Sequence, residues 1–223
     1  MQRAYGLEIP DSLDDLCDPL RMALLVYDMQ AGIVSQIPDG AETTRRVCEI
    51  VQAAREGGFR VFYTRHMYLP NEVAGVSQLR TAMAWQGVSQ VSDLKPHFLR
   101  DSREFQLAAE LAPRANEAIF DKITMSAFVG TPLDIVLRDC GLNAFAIVGI
   151  ALEIGIEPTV RHALDLGYIP VVVTDACGSR DKVAAERSLA SLASFGGSLQ
   201  TEVATIANAF RARSQTERAT PHE

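Results

Sequence analysis

Apolar residues along the chain gather into short unbroken runs, and between these runs the apolar positions recur at helical spacing. Residues 22–28 (MALLVYD) form one such run closing on an acid, the pattern of a strand covered on both faces of a parallel sheet. Residues 43–56 then place Val47, Ile50, Val51 and Ala54 on one helical face, and Gly57 and Gly58 stop the helix. The same alternation predicts strands at 60–64, 118–120, 143–149, 169–174 and 201–204. Helices are predicted at 132–139, 157–166 and 181–193, ended by Gly141, Gly167 and Gly196. Strands alternating with helices imply right-handed crossovers, so the expected fold class is α/β: a mostly parallel six-stranded sheet with helices on both faces. Ligands of such sheets bind beyond the carboxyl ends of the strands.

Residues 67–113 break this rhythm. The stretch is long and mixed, and holds the only tryptophan, Trp85, with Pro70, Pro96 and Pro113. It reads as an irregular insertion into a single domain spanning 1–223, whose core runs from about 20 to 206. A connection of this length serves as a lid, a binding loop or a surface for a partner subunit.

Composition narrows the function classes. The 223 residues are 48% hydrophobic and 22% charged, as in a packed globular protein, with 21 Lys and Arg against 28 Asp and Glu. A net charge of -7 without a basic cluster argues against binding nucleic acid or an anionic membrane. The longest apolar runs fall well short of the roughly 18 residues that cross a bilayer. The first 18 residues lack the basic-then-apolar order of a signal peptide. Cys17, Cys48, Cys140 and Cys177 show no CxxC spacing, which suits free thiols in a reducing, cytoplasmic setting.

Three places could carry chemistry. Asp28 follows a buried strand at the point where the sheet opens, so its carboxylate is partly desolvated and suited to acid or base work; a turn or cap is the structural alternative. Lys122 ends the third strand, where a buried ammonium beside a carboxylate could hold it charged or polarise a carbonyl, though a surface lysine is the plainer reading. Residues 149–161 (GIALEIGIEPTVR) form a strand-to-helix bend with Gly155 in it, and Pro158 suits a first helical turn.

Together, residues 25–30 (LVYDMQ), Lys122 with 126–131 (SAFVGT), and 149–161 with 166–168 (LGY) and 174–176 (TDA) resemble the isochorismatase-like hydrolases over about residues 20–206. The resemblance implies a Rossmann-like three-layer α/β/α sandwich and a homodimer or homotetramer acting on a small-molecule substrate. Most members use an Asp, Lys and Cys triad on amides or carbamoyl compounds, which makes Asp28 the base and Lys122 its partner. The cysteine falls at Gly155, where this chain has no nucleophile, so a covalent acyl-enzyme route is closed. True isochorismatases also carry glycine there and cleave a vinyl ether without a covalent step. The expected reaction is therefore vinyl-ether hydrolysis: Asp28 protonates the enol carbon, Lys122 stabilises charge, water adds, and Gly155 leaves room for substrate.

Alternatives are amide or carbamoyl hydrolysis by water that Asp28 activates, a binding protein without turnover, or a cysteine enzyme whose nucleophile has been replaced. The segment 63–66 (YTRH) resembles the amidohydrolase branch. Arg65 and His66 are expected at the mouth of the site to bind a substrate carboxylate. Ile150 and Ala151 match the position of a non-proline cis peptide in relatives and are expected at the reacting oxygen. Glu153 could supply an acid or base, and Phe128 and Trp85 could form apolar walls. Nicotinamidase relatives bind a metal near the second strand with an Asp and two His, whereas 64–70 (TRHMYLP) offers one imidazole, so neither a metal nor another cofactor is expected. His97 and His162 read as surface or packing residues.

Overall fold

All six residues of Met22–Tyr27 are buried, which is why this run becomes the central strand of the fold. The computed structural model describes residues 1–218. Its order is β1 (Gln2–Ala4), β2 (Leu7–Ile9), α1 (Leu13–Leu16), β3 (Met22–Tyr27), α2 (Ala31–Val34), α3 (Gly40–Glu56), β4 (Arg60–His66), α4 (Val76–Gln86), β5 (Ala118–Lys122), α5 (Leu133–Asp139), β6 (Ala144–Ile150), α6 (Glu157–Asp165), β7 (Ile169–Gly178), α7 (Lys182–Phe195), β8 (Leu199–Thr201) and α8 (Val203–Arg218). Strands β3 to β8 form one sheet in the order β5-β4-β3-β6-β7-β8, with every neighbouring pair parallel.

The period of two along each strand divides the core. Met22, Leu24 and Val26 of β3 pack with Val47, Ile50 and Val51 of α3 and with Ile206 and Phe210 of α8. Ala23, Leu25 and Tyr27 face the other way, toward Leu133 and Leu137 of α5, Val160 of α6 and Leu192 of α7. The result is an α/β/α sandwich of three layers. Each fully buried Leu or Ile side chain contributes about 1.5–3 kcal/mol, so the two apolar layers hold the strand ends in fixed register.

Several boundaries differ from expectation. The insertion is not irregular throughout: it contains α4, and Tyr68, Ala82, Leu94 and Phe98 form a small apolar cluster of their own. The last strand lies at Leu199–Thr201, ahead of the expected 201–204, and the polar-looking segment after it is helix α8. Strand β7 continues past Thr174 to Gly178, beyond a register shift against β6. A wide helical turn, Leu152–Ile156, precedes α6. The hairpin β1–β2 and helices α1 and α2 add to the predicted elements. No helix among the described residues is long and apolar enough to cross a membrane.

Candidate active site

Parallel register brings the strand ends to one edge. Tyr27 lies beside Gly149, and His66 beside Lys122. Strand β5 is anchored at its other end, where Arg55 of α3 grips Glu117 through two nitrogens at 2.7 and 2.8 Å. This grip keeps Lys122, five residues on, in place.

Asp28, the first residue after β3, adopts a left-handed backbone (φ 46°), which a side chain other than glycine enters at a cost of about 1–2 kcal/mol. The turn aims its carboxylate across the sheet edge. Oδ1 accepts a hydrogen bond from Thr64 Oγ1 at 2.6 Å, and Oδ2 accepts one from Lys122 Nζ at 2.5 Å. Lys122 is fully engaged: Nζ also donates to Tyr27 Oη at 2.9 Å and to the Thr124 carbonyl at 3.1 Å. Its side chain is 0% exposed, so it reaches a ligand only through its neighbours. Burial pulls the Lys122 pKa down while Asp28 pushes it back up. Burial thus loosens the hold of the Lys122 ammonium on the proton that it donates to Asp28 Oδ2.

A cavity of about 760 Å³ opens over this pair, with Tyr27, Asp28, His66, Ile150, Ala151 and Gly155 among its lining. The Ile150–Ala151 peptide is cis. The outer wall comes from the insertion, including Trp85, Lys95, His97 and Phe98, and Arg180 contributes from the far side. Gln30 ties wall to floor by donating to the His66 and Phe105 carbonyls at 2.9 Å and accepting from the His66 N–H at 2.6 Å.

The His66 ring packs edge-on against Tyr68. Burial, reinforced by the Lys122 charge, lowers its pKa to about 4 from 6.5. The folded state therefore keeps a neutral imidazole where the unfolded chain takes up a proton. As pH falls from 6.5 toward 4, only the unfolded state gains that proton, and His66 withdraws roughly 3 kcal/mol of stability. Urea unfolding at pH 7 and pH 5 should show a smaller loss in His66→Gln than in the parent protein; equal losses would contradict the assignment.

Of the expected site residues, Asp28, Gly155, His66, Ile150, Ala151 and Trp85 line the cavity and Lys122 lies directly beneath it. Three lie elsewhere. Arg65 is on the opposite face of β4 from His66, paired with Asp121 at 2.8 Å and stacked over Phe105, because successive strand residues alternate in direction. Phe128 packs against Phe145 and Tyr168 in the apolar layer. Glu153 Oε1 accepts from the N–H groups of Arg180 and Asp181 at 2.9 and 3.0 Å, fixing the entry to α7.

His97 packs on Tyr68, one of the two expected readings, and also lines the cavity. His162 bonds Ser126. Tyr27, Thr64 and Arg180 were not anticipated; the first two sit at the sheet edge within reach of Asp28. The four cysteines are unpaired and none lines the cavity. Among the described residues no three His, Cys, Asp or Glu side chains cluster as metal ligands.

The family model described as the isochorismatase domain matches residues 22–204. The ureidoacrylate amidohydrolase RutB of Acinetobacter baylyi is 27% identical over 213 residues, covering 88% of this chain and 86% of that protein. A cysteine hydrolase from Pseudomonas syringae pv. phaseolicola superposes with a TM-score of 0.73 at 24% identity, over 88% of this chain and 95% of the other. N-carbamoylsarcosine amidase from Thermoplasma acidophilum gives 0.68 at 21% identity, over 82% and 96%. The two structures share the fold.

Proposed function

The chain belongs to the isochorismatase family, and from that premise we propose that this hydrolase cleaves a small polar enol ether by adding water without a covalent intermediate. The observation that carries this reading is a buried Asp28–Lys122 pair on the floor of a cavity in which no thiol is present.

Asp28 delivers a proton drawn from Lys122 to the terminal enol carbon as the double bond opens, and the carboxylate left behind stabilises the oxocarbenium centre. Water adds to that centre and returns its proton to the pair. The resulting hemiketal collapses to an alcohol and a carbonyl compound. Thr64 keeps Oδ1 oriented throughout. A cytoplasmic setting fits the four unpaired thiols.

The names of two relatives, an amidohydrolase and a carbamoyl amidase, favour a second reading in which Asp28 activates water to attack a C–N bond. Pyruvate release from an isochorismate-type enol ether, set against ammonia release from a panel of primary amides and ureido acids, separates the two. In either case Asp28→Asn should lower kcat by about 10²–10⁴-fold, because an amide cannot carry the proton. Unchanged turnover in that variant would remove Asp28 from the mechanism.

A further inference from the structure

The hydrolytic reading leaves Tyr27 without a role, although its hydroxyl is hydrogen-bonded directly to the reacting pair. Its ring belongs to the apolar layer beneath α5 and α6. Its hydroxyl accepts from Lys122 Nζ at 2.9 Å and donates to the Met125 carbonyl. The ammonium also lies 4.2 Å from the ring centroid. Tyr27 and Asp28 both line the cavity, whereas Lys122 between them is sealed.

Position 155 supplies an independent observation. A Cβ there would overlap Oη, Cζ and Cε1 of Tyr27, all within 2.5 Å. The phenol thus fills the space into which any side chain at 155 would project. Glycine at 155 and tyrosine at 27 are one arrangement.

We propose that Tyr27 is a catalytic residue, a phenol standing where a nucleophile would otherwise project and donating its proton to the departing oxygen of the substrate. This rests on the hydrolytic reading above. Burial and the Asp28 carboxylate hold the Tyr27 pKa well above its ordinary value, so it enters the reaction as O–H, a donor and not a nucleophile.

In the collapse of the hemiketal, Asp28 takes the hydroxyl proton as the new C=O forms. The bond from carbon to the ether oxygen breaks as the Tyr27 O–H turns from the Met125 carbonyl to that oxygen and gives it the proton. Lys122 passes a proton to the phenolate, and Asp28 passes the one it took to Lys122. The 2.5 and 2.9 Å hydrogen bonds through Nζ are the path, and every group ends as it began.

The test is Tyr27→Phe, which keeps the ring and its packing and removes only the hydroxyl. With an isochorismate-type enol ether, kcat should fall by about 10²-fold with KM nearly unchanged. Wild-type kcat in the variant, or a loss confined to KM, would overturn the proposal. A second measurement does not depend on the substrate: the Lys122 ammonium, followed by NMR, should titrate at lower pH in the variant because it loses an acceptor. An unchanged titration would also overturn the relay. If the parent protein releases neither pyruvate nor ammonia from any compound tested, the hydrolytic reading fails and the titration alone decides whether Tyr27 is coupled to the pair.

Discussion

Lys122→Ala is expected to cost about 3–5 kcal/mol of stability and to abolish turnover, because it strands a buried carboxylate without its cation. The Asp28 side chain is 5% exposed and that of Lys122 is 0%, so water cannot replace the lost partner. The three acceptors that converge on Nζ, from Tyr27, Asp28 and Thr124, would lose their donor together. The double variant Asp28→Asn/Lys122→Met should recover much of this stability while remaining inactive, since it buries no charge. Urea unfolding read alongside pyruvate release checks both halves. A single variant as stable as the parent protein would mean that the pair is not held apart from water as the geometry requires.

Gly155→Cys should not convert the protein into a thiol enzyme. The new Cβ would meet the Tyr27 ring inside van der Waals contact, and overpacking a filled core costs about 1–3 kcal/mol or more. The expected variant is destabilised, and its thiol, if the chain folds, is displaced from Asp28 and Lys122. Tyr27→Val/Gly155→Cys relieves the collision and should recover stability, with a thiol that iodoacetamide labels more readily than in the single variant. Equal stability of Gly155→Cys and the parent protein would show that Tyr27 moves aside at little cost.

Much of this architecture was legible in the sequence. Runs such as 22–27 and 144–150 are buried on both faces, so their continuous apolarity is a direct imprint of the sheet interior. Helix α8 was missed although Val203, Ile206, Ala207 and Phe210 carry a helical spacing, because the exposed polar residues between them mask a one-sided pattern. The extension of β7 was hidden by Thr174 and Asp175, which lie where the ladder with β6 shifts register.

In the site, Asp28 and Lys122 could be found because each closes a strand at the same edge. Arg65 departs from expectation because alternation along β4 sends Arg65 and His66 to opposite faces. Tyr27 escaped notice because an aromatic ring inside an apolar run reads as core, which its ring is. The available signal was one of volume, a large side chain next to Asp28 paired with the glycine at 155.

The wall of the cavity and its floor belong to different parts of the chain. Trp85, Lys95, His97 and Phe98 come from a segment that carries its own small apolar cluster, whereas Asp28, Lys122 and Tyr27 are fixed by the sheet. Substitutions in the segment can therefore reshape the cavity wall while the hydrogen bonds joining Asp28, Lys122 and Tyr27 stay intact. The shape of the wall and the geometry of the floor are free to drift on separate evolutionary clocks, joined chiefly where Gln30 bridges His66 and Phe105.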